Sequence, residues 1–126
     1  MLGVSIRSSL GPNQERWKRV RHVVLDMDGT IYLGGRLFAE TLPFLATLEE
    51  LGIGWDFLTN NNSKGRADYV ESLRLMGIVV EAEQLVMSTD ACVSTLRADF
   101  PEVRRIFVLG TPGMKKDLGD AGFEVV

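Results

Sequence analysis

Strand-like and helix-like segments alternate along this chain, which predicts an α/β fold built on a parallel sheet with helices on both faces. Three observations carry that expectation. Apolar runs such as Val23-Val24-Leu25 read as strands buried on both sides. Leu42, Leu45, Leu48 and Leu51 form a stripe at helical spacing. Gly52 then stands where a helix stop needs a residue free to turn left-handed.

The elements follow in order. Gly11-Pro12 marks a boundary, and Asn13 to Arg21 is a short helix or an extended lead-in. His22–Asp26 is the first strand. Ile31 to Phe38 alternates around Gly34-Gly35 as a small hairpin would. Thr41 is the expected cap of the leucine-striped helix. Ile53–Thr59 is the second strand, followed by polar Asn60-Asn61-Asn62-Ser63, with Ser63 as cap of the next helix. Val70, Leu73 and Met76 line that helix's inner face, and Gly77 ends it. Gln84–Met87 is a short strand. Thr89 caps a helix with Cys92, Leu96 and Phe100 inside. Arg105–Leu109 is a strand, Thr111-Pro112 opens a helix with Met114 and Leu118 inside and Gly122 at its end, and Phe123–Val126 begins another strand. The whole reads as a Rossmann-like arrangement, with no internal repeat.

Length and composition bound the function. A chain of 126 residues suits one domain. Residues 1–21 hold five basic groups and one acid, whereas residues 22–126 hold nine basic and sixteen acidic groups. An acidic body argues against a nucleic-acid partner. No apolar stretch approaches the roughly 18 residues that span a bilayer, so no membrane partner is expected. The single Cys92 forms no internal disulfide, which fits a reducing compartment and a cytoplasmic location. Trp17 is expected to anchor the leader, Trp55 and Phe57 to lie in the core, and His22 to face solvent.

The most informative segment is Asp26-Met27-Asp28-Gly29-Thr30, directly after the first strand. Open α/β sheets bind ligands at the carboxyl ends of their strands. Two acids placed there are costly unless something binds them. A divalent cation or a reacting phosphate meets both needs. Asp26 is placed to attack phosphorus and Asp28 to carry the proton to and from the oxygens that leave and enter. Magnesium would screen carboxylate from phosphate. Gly29 permits the sharp turn, and the N–H groups of that turn can hold phosphate oxygens. Thr59 and Asn60 end the second strand, where a hydroxyl and an amide can meet the same phosphate. Read blandly, Asp28-Gly29 is a plain β-turn and the asparagines an ordinary loop.

Together these stretches resemble motifs of the haloacid dehalogenase superfamily, in its branch of para-nitrophenyl phosphatases, phosphoglycolate phosphatases and nucleotide monophosphatases. The resemblance rests on Asp26 to Gly35, on Phe57 to Ser63, on Leu75-Met76-Gly77-Ile78, and on Phe107 to Met114 as the opening of an inserted α/β cap. It implies a leader at 1–21, the N-terminal part of the core at 22–87 and the truncated start of the cap at 88–126. It also implies Asp26 as nucleophile, Asp28 as general acid/base, and phosphate contacts from Thr59, Asn60 and the Gly29 turn. Asp26 and the Asp28 carbonyl would be magnesium ligands, and a small phosphate ester the substrate. The family's later lysine and aspartate motifs have no counterpart here. Lys64 is a weak substitute, Arg66 a lesser candidate for substrate contact, and Asp90, Asp117 and Asp120 read as surface helix residues. The resemblance therefore implies an N-terminal portion of a longer protein, weak or inactive alone, with a non-catalytic phosphate- or partner-binding fragment as the alternative. A sheet lacking its last strands predicts dimerisation or strand exchange. A receiver-type signalling domain is disfavoured, because no acceptor aspartate follows a later strand.

Overall fold

The computed structural model describes residues 14–126; most of the leader lies outside them. The order is α1 (Gln14–Trp17), β1 (His22–Asp26), β2 (Tyr32–Leu33), β3 (Arg36–Leu37), α2 (Thr41–Glu50), β4 (Gly54–Thr59), α3 (Arg66–Leu75), a 3₁₀ turn (Ala82–Gln84), β5 (Leu85–Met87), α4 (Ser88–Asp99), β6 (Arg105–Ile106), α5 (Pro112–Asp120) and β7 (Glu124–Val125). The α/β class and its parallel sheet are as expected.

Strands β1, β4 and β5 form a parallel sheet with β4 in the middle. Val23 lies beside Trp55, Leu25 beside Phe57, Phe57 beside Leu85, and Thr59 beside Met87. Residues in register share a face, so these side chains form one surface. That surface packs on Leu45 and Leu48 of α2 and on Tyr69 and Leu73 of α3. The placement follows from topology. Two right-handed crossovers that step in the same direction, β1 to β4 to β5, leave both helices on one side. The opposite face carries Val24, Leu58 and Val86, all exposed. Phe57 and Leu85 have no solvent exposure, and each is worth about 1.5–3 kcal/mol of transfer free energy relative to an exposed position.

The rest is smaller. β2 and β3 pair antiparallel as the hairpin after β1. β6 and β7 pair parallel in a separate two-stranded sheet, much shorter than the expected strands at 105–109 and 123–126. Gly52, Gly77 and Gly122 stop α2, α3 and α5 with φ of 65°, 93° and 95°, as the expected stops require.

Several local expectations need correction. Thr41 is the first residue of α2 rather than its cap, because its hydroxyl donates to Ile31 O at 2.6 Å. Gly65 caps α3 in place of Ser63, and its N–H donates to Asp68 Oδ2 at 3.2 Å. Met87 precedes α4, its N–H donating to Asp90 Oδ2 at 2.7 Å, while Thr89 sits inside the helix and is buried. Cys92 and Phe100 are exposed rather than inward. Trp17, expected to anchor the leader, is also exposed among the described residues. Thr111 does cap α5, its hydroxyl accepting from Met114 N at 3.2 Å.

Candidate active site

The register of the sheet builds the site. Asp26 ends β1 opposite Leu58, so Thr59 lies one residue further along the same carboxyl edge. Past β1 the chain turns sharply. Thr30 N and Ile31 N both donate to Met27 O, at 3.1 and 3.0 Å, and Gly29 N donates to Tyr32 O at 2.8 Å. Gly29 holds φ of +78° with open space around it. A side chain there would meet no atom, but it would strain the backbone. Met27 points inward with no exposure while Asp26 and Asp28 are exposed. The alternation buries the apolar residue and sends both acids out.

Thr30 Oγ1 donates to Asp26 Oδ2 at 3.2 Å, leaving Oδ1 of Asp26 free of any bond among the described residues. Across the cleft, Asn61 Nδ2 donates to Asp28 Oδ2 at 3.0 Å. Thr59 belongs to the buried face of β4, and its hydroxyl oxygen accepts from Asn61 N at 3.1 Å. Asn60 is exposed beside it. Five of the expected site residues, Asp26, Asp28, Gly29, Thr59 and Asn60, thus lie on one sheet edge. Sequence reasoning missed Asn61, Thr30 and Tyr32. The hint for Asn61 was its place two residues before Ser63, because asparagine readily accepts from the main chain two residues on. Asn61 Oδ1 does accept from Ser63 N, at 2.9 Å.

Tyr32 reports the negative field of the acids. Burial, then the charge on Asp28, pushes its phenol up to about 12, with Tyr69 and Asp26 acting in the same direction. Tyr32 and Asp28 line a cavity of ≈ 450 Å³ whose other walls include Asn61, Lys64, Tyr69 and Ser72. Lys64 Nζ donates to Ser72 Oγ at 3.2 Å and stands 6.0 Å from the Tyr69 ring. It faces this cavity, and no contact joins it to Asp26.

A larger cavity, ≈ 660 Å³, lies between α3, α4 and α5, away from both acids. Most of its charged groups already have partners. Arg66 donates to Ala82 O, Leu85 O and Asp90, and so is tied into the fold rather than offered to a substrate. Asp117 is no idle surface acid, because its Oδ2 accepts from Arg66 N at 3.0 Å. Lys116 pairs with Asp120 in an exposed ion pair. His22, half-exposed as expected, bonds Asp56 Oδ2 at 2.8 Å.

Among the described residues no three His, Cys, Asp or Glu side chains cluster as a metal site, and no helix is long and apolar enough to cross a membrane. Asp26 and the carbonyl of Asp28 offer hard oxygen donors. That set suits an ion that keeps several waters and completes its shell with substrate phosphate.

Comparison with known proteins agrees with this geometry. Residues 23–124 match the family model described as haloacid dehalogenase-like hydrolase. Phosphoglycolate phosphatase 1A of Arabidopsis thaliana, a chloroplastic protein, is 31% identical over 106 residues, covering 83% of this chain and 29% of that protein. The 4-nitrophenylphosphatase of Thermotoga maritima superposes with a TM-score of 0.77 at 37% identity, over 85% of this chain and 41% of its own. The p-nitrophenyl phosphatase of Archaeoglobus fulgidus gives 0.72 at 28%, over 83% and 40%. This chain therefore spans less than half the length of each of these proteins. With its matching region running from β1 into β7, the chain belongs to the haloacid dehalogenase-like hydrolase family.

Proposed function

We propose that this chain supplies the nucleophile and the proton carrier of a magnesium-dependent phosphatase for small phosphate esters. The observation that carries the reading is the placement of Asp26, Asp28 and the Thr59 loop on one carboxyl edge, with Asp26 and Asp28 in separate hydrogen bonds. The named phosphatase activities of similar proteins support the same chemistry. Asp26 attacks phosphorus, forming an aspartyl-phosphate while the ester P–O bond breaks. Asp28 gives its proton to the departing oxygen. Water then attacks the phosphorus, Asp28 takes that water's proton, and inorganic phosphate leaves as the Asp26 carboxylate returns. Thr59 and Asn60 hold the phosphoryl oxygens, whereas the expected contact from the Gly29 turn is withdrawn because the N–H groups of Gly29, Thr30 and Ile31 already donate to Tyr32 O and Met27 O; residues 22–87 act as core and 88–126 as the start of a cap. Magnesium, held by Asp26 and the Asp28 carbonyl, would supply neutralisation of the phosphate charge. The single Cys92 keeps a reducing, cytoplasmic setting within this reading.

The test is hydrolysis of para-nitrophenyl phosphate with and without magnesium, beside Asp26→Asn. Turnover that needs magnesium and falls by about 10³-fold or more in the variant supports the reading. One observation favours a second reading, a phosphate-binding fragment without turnover: the described residues hold no third metal-ligating side chain at the site. Phosphate binding that survives Asp26→Asn, with no hydrolysis by either chain, would decide for it.

A further inference from the structure

Asn61 is joined to its surroundings four ways. Its N–H donates to Thr59 Oγ1 at 3.1 Å, its Oδ1 accepts from Ser63 N at 2.9 Å, and its carbonyl accepts from Tyr69 OH at 2.9 Å. The fourth bond runs from Nδ2 to Asp28 Oδ2 at 3.0 Å. Because Ser63 N can only donate, the amide oxygen must face it, and the NH₂ must face Asp28. Tyr69 is 3% exposed and part of the core. The clamp therefore leads back to a rigid anchor. Asp28 by contrast is exposed, and Asn61 is the side-chain donor the described residues give it.

We infer that Asn61 is the positioning residue of the reaction, fixing the Asp28 carboxyl where it can protonate the leaving oxygen. This rests on the phosphatase reading above. A proton carrier works only within hydrogen-bond reach of the departing atom, and a misplacement of about 1 Å costs on the order of 10²-fold. An exposed aspartate turning freely about its side-chain bonds would spend most of its time elsewhere. The same asparagine also holds the Thr59 hydroxyl oxygen, so one residue sets the phosphate contact and the acid together.

The substitution Asn61→Asp isolates this role. It keeps an oxygen for Ser63 N and both main-chain bonds, and replaces the donor to Asp28 by a carboxylate oxygen. The readout is kcat/KM for two esters, phenyl phosphate and 2,4-dinitrophenyl phosphate, at saturating magnesium. Phenolate departs poorly without a proton, whereas dinitrophenolate departs unaided. Because kcat/KM ends at the first irreversible step, the later role of Asp28 with water does not enter. The added charge opposes both esters but also faces the Asp28 carboxylate directly, so the uncharged Asn61→Ala is measured beside it and the assignment requires the same selective loss in both variants. The expected result is a loss of about 10²-fold for phenyl phosphate and under about fivefold for the dinitrophenyl ester. In an Asp28→Asn background the ratio should change no further. Asn61→Ala gives the same comparison without added charge and serves should Asn61→Asp fail to fold. Equal losses for both esters, or no loss for either, would overturn the assignment while leaving the phosphatase reading intact. An unsubstituted chain that hydrolyses neither ester decides for the phosphate-binding fragment over turnover by this chain, and the role of Asn61 in proton transfer falls with it.

Discussion

Tyr32 gives the residue scale its own test, one that needs no turnover. Its phenol is buried beside Asp28 and lifted to about 12, whereas the same group in an unfolded chain loses its proton near 10. A group whose folded value is raised favours the folded state fully below the unfolded value and loses that advantage as pH climbs through the folded one. Stability measured by urea unfolding should therefore fall between about pH 10 and 12, and Tyr32→Phe should flatten that limb. An unchanged slope in the variant would remove Tyr32 as its cause. At the neighbouring Thr30, substitution by Val deletes the donor to Asp26 Oδ2, and should lower kcat for para-nitrophenyl phosphate by about tenfold, the worth of one charge-assisted bond. Asp26 and Thr59 were legible in the sequence because each ends an apolar strand, with Asp28 two residues on, and a parallel sheet must bring such ends to one edge. Asn61 was not. Three adjacent asparagines have the same chemistry, and only the turn of the main chain decides which amide returns to Asp28.

Between elements, the starts of α3 and α5 meet backbone to backbone. A Cβ built on Gly113 would stand 2.2 Å from Gly65 N and 2.8 Å from Gly65 Cα. These are backbone atoms that cannot swing aside. Gly113→Ala should push the two helix starts apart and cost about 1–3 kcal/mol in denaturant unfolding, whereas Gly119→Ala on the same helix meets nothing within 4 Å and should be neutral or slightly stabilising. Equal effects would show that the α3–α5 contact does not govern stability. Asp117 strengthens that contact by accepting from Arg66 N, so an acid on one helix caps another. This explains which helix features a sequence shows. Stops at Gly52, Gly77 and Gly122 are legible because a left-handed residue after a helix is a purely local demand. Caps are less legible: Thr111 caps α5 as expected, but the Thr41 hydroxyl is drawn to Ile31 O by the tertiary fold, and Thr89 is carried inside α4, its hydroxyl buried without a hydrogen-bond partner among the described residues. The exposure of Cys92 and Phe100 has the same origin: spacing fixes one stripe of α4, and only the neighbouring elements decide whether anything covers it.

Across the whole molecule, the strand order decides what remains uncovered. With β1 at one side of the sheet and both α2 and α3 on one face, the other edge of β1 is unpaired among the described residues. The face bearing Val24, Leu58 and Val86 is left open. Val24 is 57% exposed in the middle of that edge strand. An unpaired edge strand with an exposed apolar side chain is a template for another strand, and a charge placed on it is the device by which sheets avoid such pairing. Val24→Lys should therefore weaken self-association by about tenfold, equivalent to ~1.4 kcal/mol, in sedimentation equilibrium over a concentration series. The melting temperature of the dilute chain should hardly move, because this side chain is already largely in water. Asp26 lies on the same strand and the same open face, so a copy docked there would crowd the proposed nucleophile, and specific activity should fall as concentration rises in the parent chain but not in Val24→Lys. A parent chain that stays monomeric through the series, or a variant that associates just as strongly, would show that this edge is not where copies meet.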